Sequence, residues 1–426
     1  MKKLIKITAL VLALIMTISL FAACKKDDEK NTFTTAEKNL DGAALVEKDL
    51  KSGNFYYATY DDGTATLTNY ASDDEVVVVP STIGDHKVTT IGEGCFYTKK
   101  NVKKIDIPDS IKYFEKFAFY ALPALEEMKI PETNTVIREG TFVECSALKS
   151  VVIPDTVTAI EDGAFYGCKA LKELKLPEGL MSIGSYSISG CIALKEIVVP
   201  EGVKEIGTYA FRGNTALEKA VLPNSLTTLP DGLFYGCSAL TEAKLGDSTK
   251  KLGAAVFYEC KAIKNILLPE SIISVGEYSF AYCEALEELH IPDSVSVLGG
   301  YTVAYSDNIK KVNIPKNIEV VPAFMMALCP KIERIEIHEG ITDIDEYAFA
   351  GCSSVTTITL PEGLDYIGKY AFAEMEALTE LYAPSSITGV DEGIFAKSDK
   401  LKVKCHKDSI IHEYVTANSI EYELVD

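Results

Sequence analysis

The sequence predicts a solenoid, a β-rich stack of about 14 repeats of 23 residues with one parallel strand per repeat and a cap at each end. Three observations predict it. Phenylalanine stands at 96, 119, 142, 165, 211, 234, 257, 280, 349, 372 and 395, all on one 23-residue grid whose remaining points are Ile188, Val303 and Met326. A second column holds Pro108, Pro131, Pro154, Pro177, Pro200, Pro223, Pro269, Pro292, Pro315, Pro361 and Pro384, with Gly246 and His338 standing in at two positions. The composition, 47% hydrophobic and 24% charged, is that of a folded chain and excludes disorder over most of its length.

Within a repeat the apolar residues keep fixed offsets, as in Leu171-x-x-Leu174-x-Leu176-Pro177 followed by Leu180-x-x-Ile183-Gly184. The apolar-x-apolar step is a short strand, and proline ends it because it has no N–H to continue a ladder. The other half of the repeat, through Ile-Gly to Ala-Phe-x-x-Cys, holds a turn and either a second short strand or a tight helical turn. One repeat cannot bury its own apolar columns, whereas a stack can. At about 4.8 Å per strand the array is roughly 65 Å long.

The unit that runs Ile153-Pro154-Asp155-Thr156-Val157-Thr158-Ala159-Ile160-Glu161-Asp162-Gly163-Ala164-Phe165-Tyr166-Gly167-Cys168 resembles the BspA-like leucine-rich repeat family, and the resemblance covers about residues 76–404. It implies a solenoid of leucine-rich repeats, over 81–404. It also implies a bacterial surface or secreted protein of a kind that in some members binds host matrix proteins or other cells.

Both ends depart from the repeat. Residues 36–52 are expected to be helical, with Ala43, Ala44, Val46 and Leu50 on one face, and Phe55 to Val79 to form a hairpin turning at Asp61-Asp62-Gly63; together 36–80 make the N-terminal cap. The first repeat is five residues longer between Pro80 and Phe96 than later ones between proline and phenylalanine. Lys404 and His406 fall where apolar residues are due, so 405–426 is expected to be the C-terminal cap.

Ahead of the caps, Lys2, Lys3 and Lys6 precede an apolar run from Ile7 to Phe21, too short for a comfortable bilayer span, which reads as a signal peptide over 1–23. Leu20-Phe21-Ala22-Ala23-Cys24 resembles the lipobox of bacterial lipoproteins, with Phe21 where an aliphatic residue is usual. The resemblance implies that Cys24 is acylated and anchors the exported chain to the membrane, facing outside the cytoplasm; 24–35 is then a polar tether. The formal charge is −20 and becomes −23 once the three lysines of the signal peptide are removed. Such a charge lacks the footprint of a nucleic-acid partner.

Several columns could carry chemistry. Cysteines at 145, 168, 191, 237, 260, 283, 329 and 352 share one position, where a disulfide or metal ladder competes with buried free thiols. Leu122, Asn214, Ser306 and Met375 in the same column mark it as a packing site. Cys405, His406 and His412 lack the further ligand of a zinc site. Asp or Glu follows the proline column at 109, 132, 155, 178, 201, 247, 270, 293, 339 and 362, where a calcium ladder competes with turn-forming, solubilising carboxylates. No cofactor follows from any of these.

The position between the two inward residues of each strand should line the sheet surface, and its middle holds Val152, Lys175, Val198, Val221, Lys244, Leu267 and His290, apolar and basic residues on an acidic chain. Tyr97, Tyr120, Tyr166, Tyr235 and Tyr258 form a second candidate surface. No phosphate loop, HExxH or GxSxG elbow appears, so nothing argues for an enzyme. The expected function is adhesin-like recognition of an extracellular protein or glycan, the alternative being an envelope spacer without a dedicated ligand.

Overall fold

The computed structural model describes Phe33 and residues 35–425. The signal peptide, Cys24 and nearly all of the tether lie outside the described residues. Residues from Ala36 onward form one compact unit. Among the described residues no helix is long and apolar enough to cross a membrane.

Most repeats contribute two short parallel strands, so where one strand per repeat was expected the half left open is a second strand and not a tight helical turn; the first strand is missing at 173–175 and 334–336 and reduced to a single bridge at Asn265. The first is the apolar-x-apolar step, as in Glu196–Val198, Lys219–Val221 and Glu242–Lys244, paired in register one repeat apart so that Val198 faces Val221 and Val221 faces Lys244. The second is built on the residue before the Ile-Gly glycine, as in Ala159–Ile160, Ser182–Ile183 and Glu205–Ile206. In this second ladder the N–H of the glycine position bonds the carbonyl 24 residues earlier, on the preceding repeat, as Gly184 does to Ile160 and Gly207 to Ile183, both at 2.7 Å. Pro230 and Pro322 occupy that position in two repeats and have no N–H to give. The ladder breaks at both, between Ile206 and Leu229 and between Leu298 and Val321.

The Ala-Phe corner closes each turn with residues in the left-handed region two before and two after the phenylalanine position. At the first these include Tyr186, Tyr209, Tyr278, Tyr301, Phe324, Tyr347 and Tyr370, and at the second Glu144, Tyr282, Tyr305 and Glu374. Backbone N–H groups around the corner reach the next repeat: Gly163 bonds Ser185, Phe165 bonds Ser187 and Gly167 bonds Ser189, at 2.7–2.9 Å. Inside, the phenylalanines are wholly buried and stack ring on ring, Phe96 to Phe165 at 5.4–5.5 Å and Phe211 to Phe280 at 5.4–5.7 Å between centroids. Ile188 interrupts the stack once, Val303 and Met326 together a second time.

The N-terminal cap differs from expectation. Where a helix was expected over 36–52, Leu45–Ser52 is a strand, antiparallel to Phe55–Tyr60. Gly42 sits at φ +92°, and the Asn39 side chain accepts the N–H groups of Asp41 and Ala43, so a closed loop stands where a first helical turn was needed. The aromatic strand at 55–60 then offers 45–52 a full ladder, and tertiary pairing overrides the local pattern. The hairpin forms as expected, Phe55–Tyr60 against Thr64–Tyr70 across the Asp61–Gly63 turn. It ends at Tyr70, however, and Val76–Val78 already pairs in parallel with Lys104–Asp106 as the first strand of the solenoid. The five extra residues after Pro80 fold into a small antiparallel pair, Thr82–Ile83 with His86–Ile91.

At the other end Lys402–His406 extends the first ladder, parallel to Glu380–Ala383, so the solenoid runs past the expected boundary at 404. The helix Ile410–Ala417 follows, its first turn capped by the Ser409 hydroxyl accepting from the His412 N–H, and it buries Ile411 and Val415 over the end of the core. Glu421–Val425 returns parallel to Lys402–His406.

Candidate functional site

The exposed face of the first ladder carries the residues singled out as a binding surface. The residues on either side are held in the core, so the one between them turns outward, from a strand at Val152, Val198, Val221 and Lys244 and from unpaired backbone at Lys175, Leu267 and His290. Val152, Val198 and Leu267 are 58%, 51% and 86% exposed, and Lys175, Lys244 and His290 are exposed as well, whereas Val221 is half-buried. The backbone aligns Val198, Val221 and Lys244 side by side. Lys175 stands between Val152 and Val198, so the apolar members alternate with ammonium groups instead of forming one greasy patch.

Flanking columns on the same face are charged and pair across repeats: Lys149 with Glu126 at 2.7 Å, Lys219 with Glu196 at 3.1 Å, Lys310 with Glu287 at 3.4 Å and Lys311 with Glu288 at 3.1 Å. Glu196 raises the pKa of Lys219 by hydrogen bonding to its ammonium. These pairs are solvent-exposed and set the pattern of charge more than stability.

The tyrosine column behaves differently. Tyr97 stacks on Tyr120 at 4.9 Å and Tyr235 on Tyr258 at 4.7 Å, while Tyr166 is half-buried. The sequence reading missed a longer aromatic column at the left-handed position two before phenylalanine. There Tyr278, Tyr301, Phe324, Tyr347 and Tyr370 form one run with centroids 4.3–5.0 Å apart. Its signal was the same 23-residue spacing, offset from the stronger phenylalanine column. Because each ring face lies against the next ring, the columns turn edges and hydroxyls outward, not the open faces on which a sugar stacks. Where the column has glycine, the preceding ring covers it: a Cβ on Gly393 would lie 2.3 Å from the Tyr370 ring.

The cysteine column has a role beyond packing. All eight thiols are wholly buried and unbridged, and each lies 3.1–3.3 Å from a carbonyl 26 residues earlier to which its S–H donates, as from Cys168 to Phe142 and Cys237 to Phe211. Asn214, Ser306 and Ser398 take the same position and bond the same kind of carbonyl, those of Ile188, Phe280 and Phe372. Their side-chain oxygens also accept from the backbone of the repeat before, at Cys191, Cys283 and Met375. The column is therefore a hydrogen-bonding seam between repeats, and burial pushes Cys145, Cys191, Cys237 and Cys329 up to about 12.

The remaining candidates are dispersed. Carboxylates of the acidic column bond along the stack, Glu201 accepting from the Asn224 N–H and Asp293 from Lys316. Cys405 is buried, the His406 ring meets the Tyr382 hydroxyl at 3.2 Å, and His412 Nδ1 accepts from the Asp408 N–H. Among the described residues no three His, Cys, Asp or Glu side chains converge to hold a metal ion.

Known proteins place this architecture. No curated protein matches the chain. A leucine-rich repeat protein from Bacteroides ovatus is similar over 89% of this chain and all of its own, with 26% identity and a TM-score of 0.72. A leucine rich cell surface protein from Faecalibacterium prausnitzii shares the fold over 87% of this chain and 97% of its own, at 23% identity and a TM-score of 0.52. The family model for the BspA type leucine rich repeat region matches residues 80–195, 158–287, 213–325 and 274–402. The two-strand turns, the stacked phenylalanines and that match together make the chain a member of the BspA-type leucine-rich repeat family.

Proposed function

We propose that this chain is a lipid-anchored bacterial surface protein that binds an extracellular protein or glycan through the first-ladder face. The reading is carried by one observation: Val152, Val198 and Leu267 stand exposed in one column of the solenoid, interleaved with Lys175 and Lys244. A side chain that neither packs nor pairs is free to serve a partner. Acylation at Cys24 tethers the solenoid to the membrane, two or three chains sufficing for stable attachment.

The chain from Lys25 onward, screened against matrix proteins, mucins and glycans, should give a saturable ligand that Val198→Asp with Leu267→Asp abolishes. A blank across the panel favours the envelope spacer, and binding that survives the double substitution moves the site off this face. Cys24→Ser should abolish incorporation of labelled palmitate by cells expressing the full chain; retained label would remove the anchor.

A further inference from the structure

We infer that the ladder face between Lys149 and Leu267 recognises an acidic protein segment that also bears apolar side chains. The inference rests on the binding role proposed for that face and adds the chemistry of the partner. Over six successive repeats the exposed ladder positions carry seven lysines (149, 172, 175, 195, 219, 244 and 264) against four glutamates (173, 196, 218 and 242), a local +3 on a chain of −20. The next five repeats, from Glu287 to Tyr382, carry Lys310, Lys311 and Arg334 against five glutamates at the same positions, a local −2.

Pairing sharpens the contrast. Lys310, Lys311 and Arg334 each hold a glutamate. In the basic stretch Lys149, Lys195 and Lys219 do so, while Lys172, Lys175, Lys244 and Lys264 make no ion pair among the described residues. Lys149, Lys172 and Lys195 also occupy one column on consecutive repeats, about 4.8 Å apart at the backbone, where like charges repel. The outer two turn away to Glu126 and Glu218, leaving Lys172 uncompensated between them.

A partner carrying carboxylates would relieve that repulsion and be steered toward this basic stretch of an acidic molecule. Between the ammonium groups stand Val152, Val198 and Leu267, and no aromatic ring occupies an exposed ladder position from 149 to 267. Aliphatic side chains with no ring face suit the apolar side chains of a protein better than the faces of sugars.

The test uses the chain from Lys25 onward and three probes: a synthetic peptide mixing glutamate and leucine, its lysine-for-glutamate counterpart, and dextran sulfate. The acidic peptide should bind, weaken as salt is raised, and lose on the order of tenfold or more in affinity with Lys172→Glu, Lys175→Glu and Lys244→Glu combined. Val198→Ser with Leu267→Ser should weaken it as well, and Lys311→Glu, outside the basic stretch, should leave it unchanged. No binding of the acidic peptide, or equal binding by the lysine triple variant, overturns the inference. Dextran sulfate bound more tightly than the peptide and indifferent to the serine pair overturns it in favour of a sulfated glycan. If a panel ligand is lost with the serine pair but not with the lysine triple, the face is the site and the acidic partner is wrong, which separates this failure from failure of the proposed function. Matching circular dichroism and thermal midpoints confirm that each variant is folded.

Discussion

The corner of each repeat and the face of its first strand obey the same 23-residue period and spend it differently. At the corner most side chains find a like neighbour one repeat away: phenylalanine stacks on phenylalanine, tyrosine on tyrosine, and thiol or amide bonds an earlier carbonyl. On the strand face the residue facing outward meets solvent, and Val198, Leu267 and Lys244 have no common chemistry. Repetition where residues touch builds the scaffold, and variation where they do not leaves room for recognition. Stability should therefore reside at the corner and binding on the face.

The largest expected effect is alkaline. An unfolded thiol ionises near pH 8.5–9, whereas burial raises every thiol of the column and holds those of Cys145, Cys191, Cys237 and Cys329 protonated to about 12. The folded pKa is raised, so this stability is complete below about pH 8.5 and is lost as pH climbs toward 12, at about 1.4 kcal/mol per pH unit for each thiol. Urea midpoints measured at pH 8, 9 and 10 should fall steeply, and a flat profile would place the thiols in water. Next, Phe257→Ala should cost about 3–5 kcal/mol in chemical unfolding, since the ring is buried between Phe234 and Phe280.

Asn214→Leu should cost about 2 kcal/mol or more, because it orphans the Ile188 carbonyl and the Cys191 N–H together. Tyr301 gives a finer test. Alanine loses the stack with Tyr278 and Phe324, worth about 0.5–1.5 kcal/mol beyond buried area, and keeps the left-handed backbone at φ +56°. Glycine loses the stack and relieves the backbone, so Tyr301→Gly should unfold later than Tyr301→Ala. The smallest effect closes the comparison: Leu267→Ser should change stability by no more than about 0.5 kcal/mol. A loss as large as that of Phe257→Ala would mean that the face is structural after all.

The repeat, its register, the buried phenylalanines and the outward strand column are legible in the sequence because each is a periodic pattern visible without knowing what touches what. The cysteine column was visible but its role was not, since its partner carbonyl lies 26 residues away on the backbone, where no side chain marks it. The helix expected over 36–52 failed because a local pattern in Ala43, Ala44, Val46 and Leu50 says nothing of the strand waiting at Phe55–Tyr60.

By itself the sequence determined that this chain is a solenoid, its 23-residue period and which residues face inward, since a column of apolar residues at constant spacing can be buried only by stacking. The tertiary structure alone decided that the second half of the turn is a strand and not a helical turn, that prolines 230 and 322 split the second ladder, and that tyrosines in left-handed corners lean their rings on the next repeat. It also decided which lysines of the ladder face find a glutamate and which do not. The physical reason is common to all of these: each depends on what stands opposite, one repeat away, and a contact between repeats exists only once the chain has closed its turn.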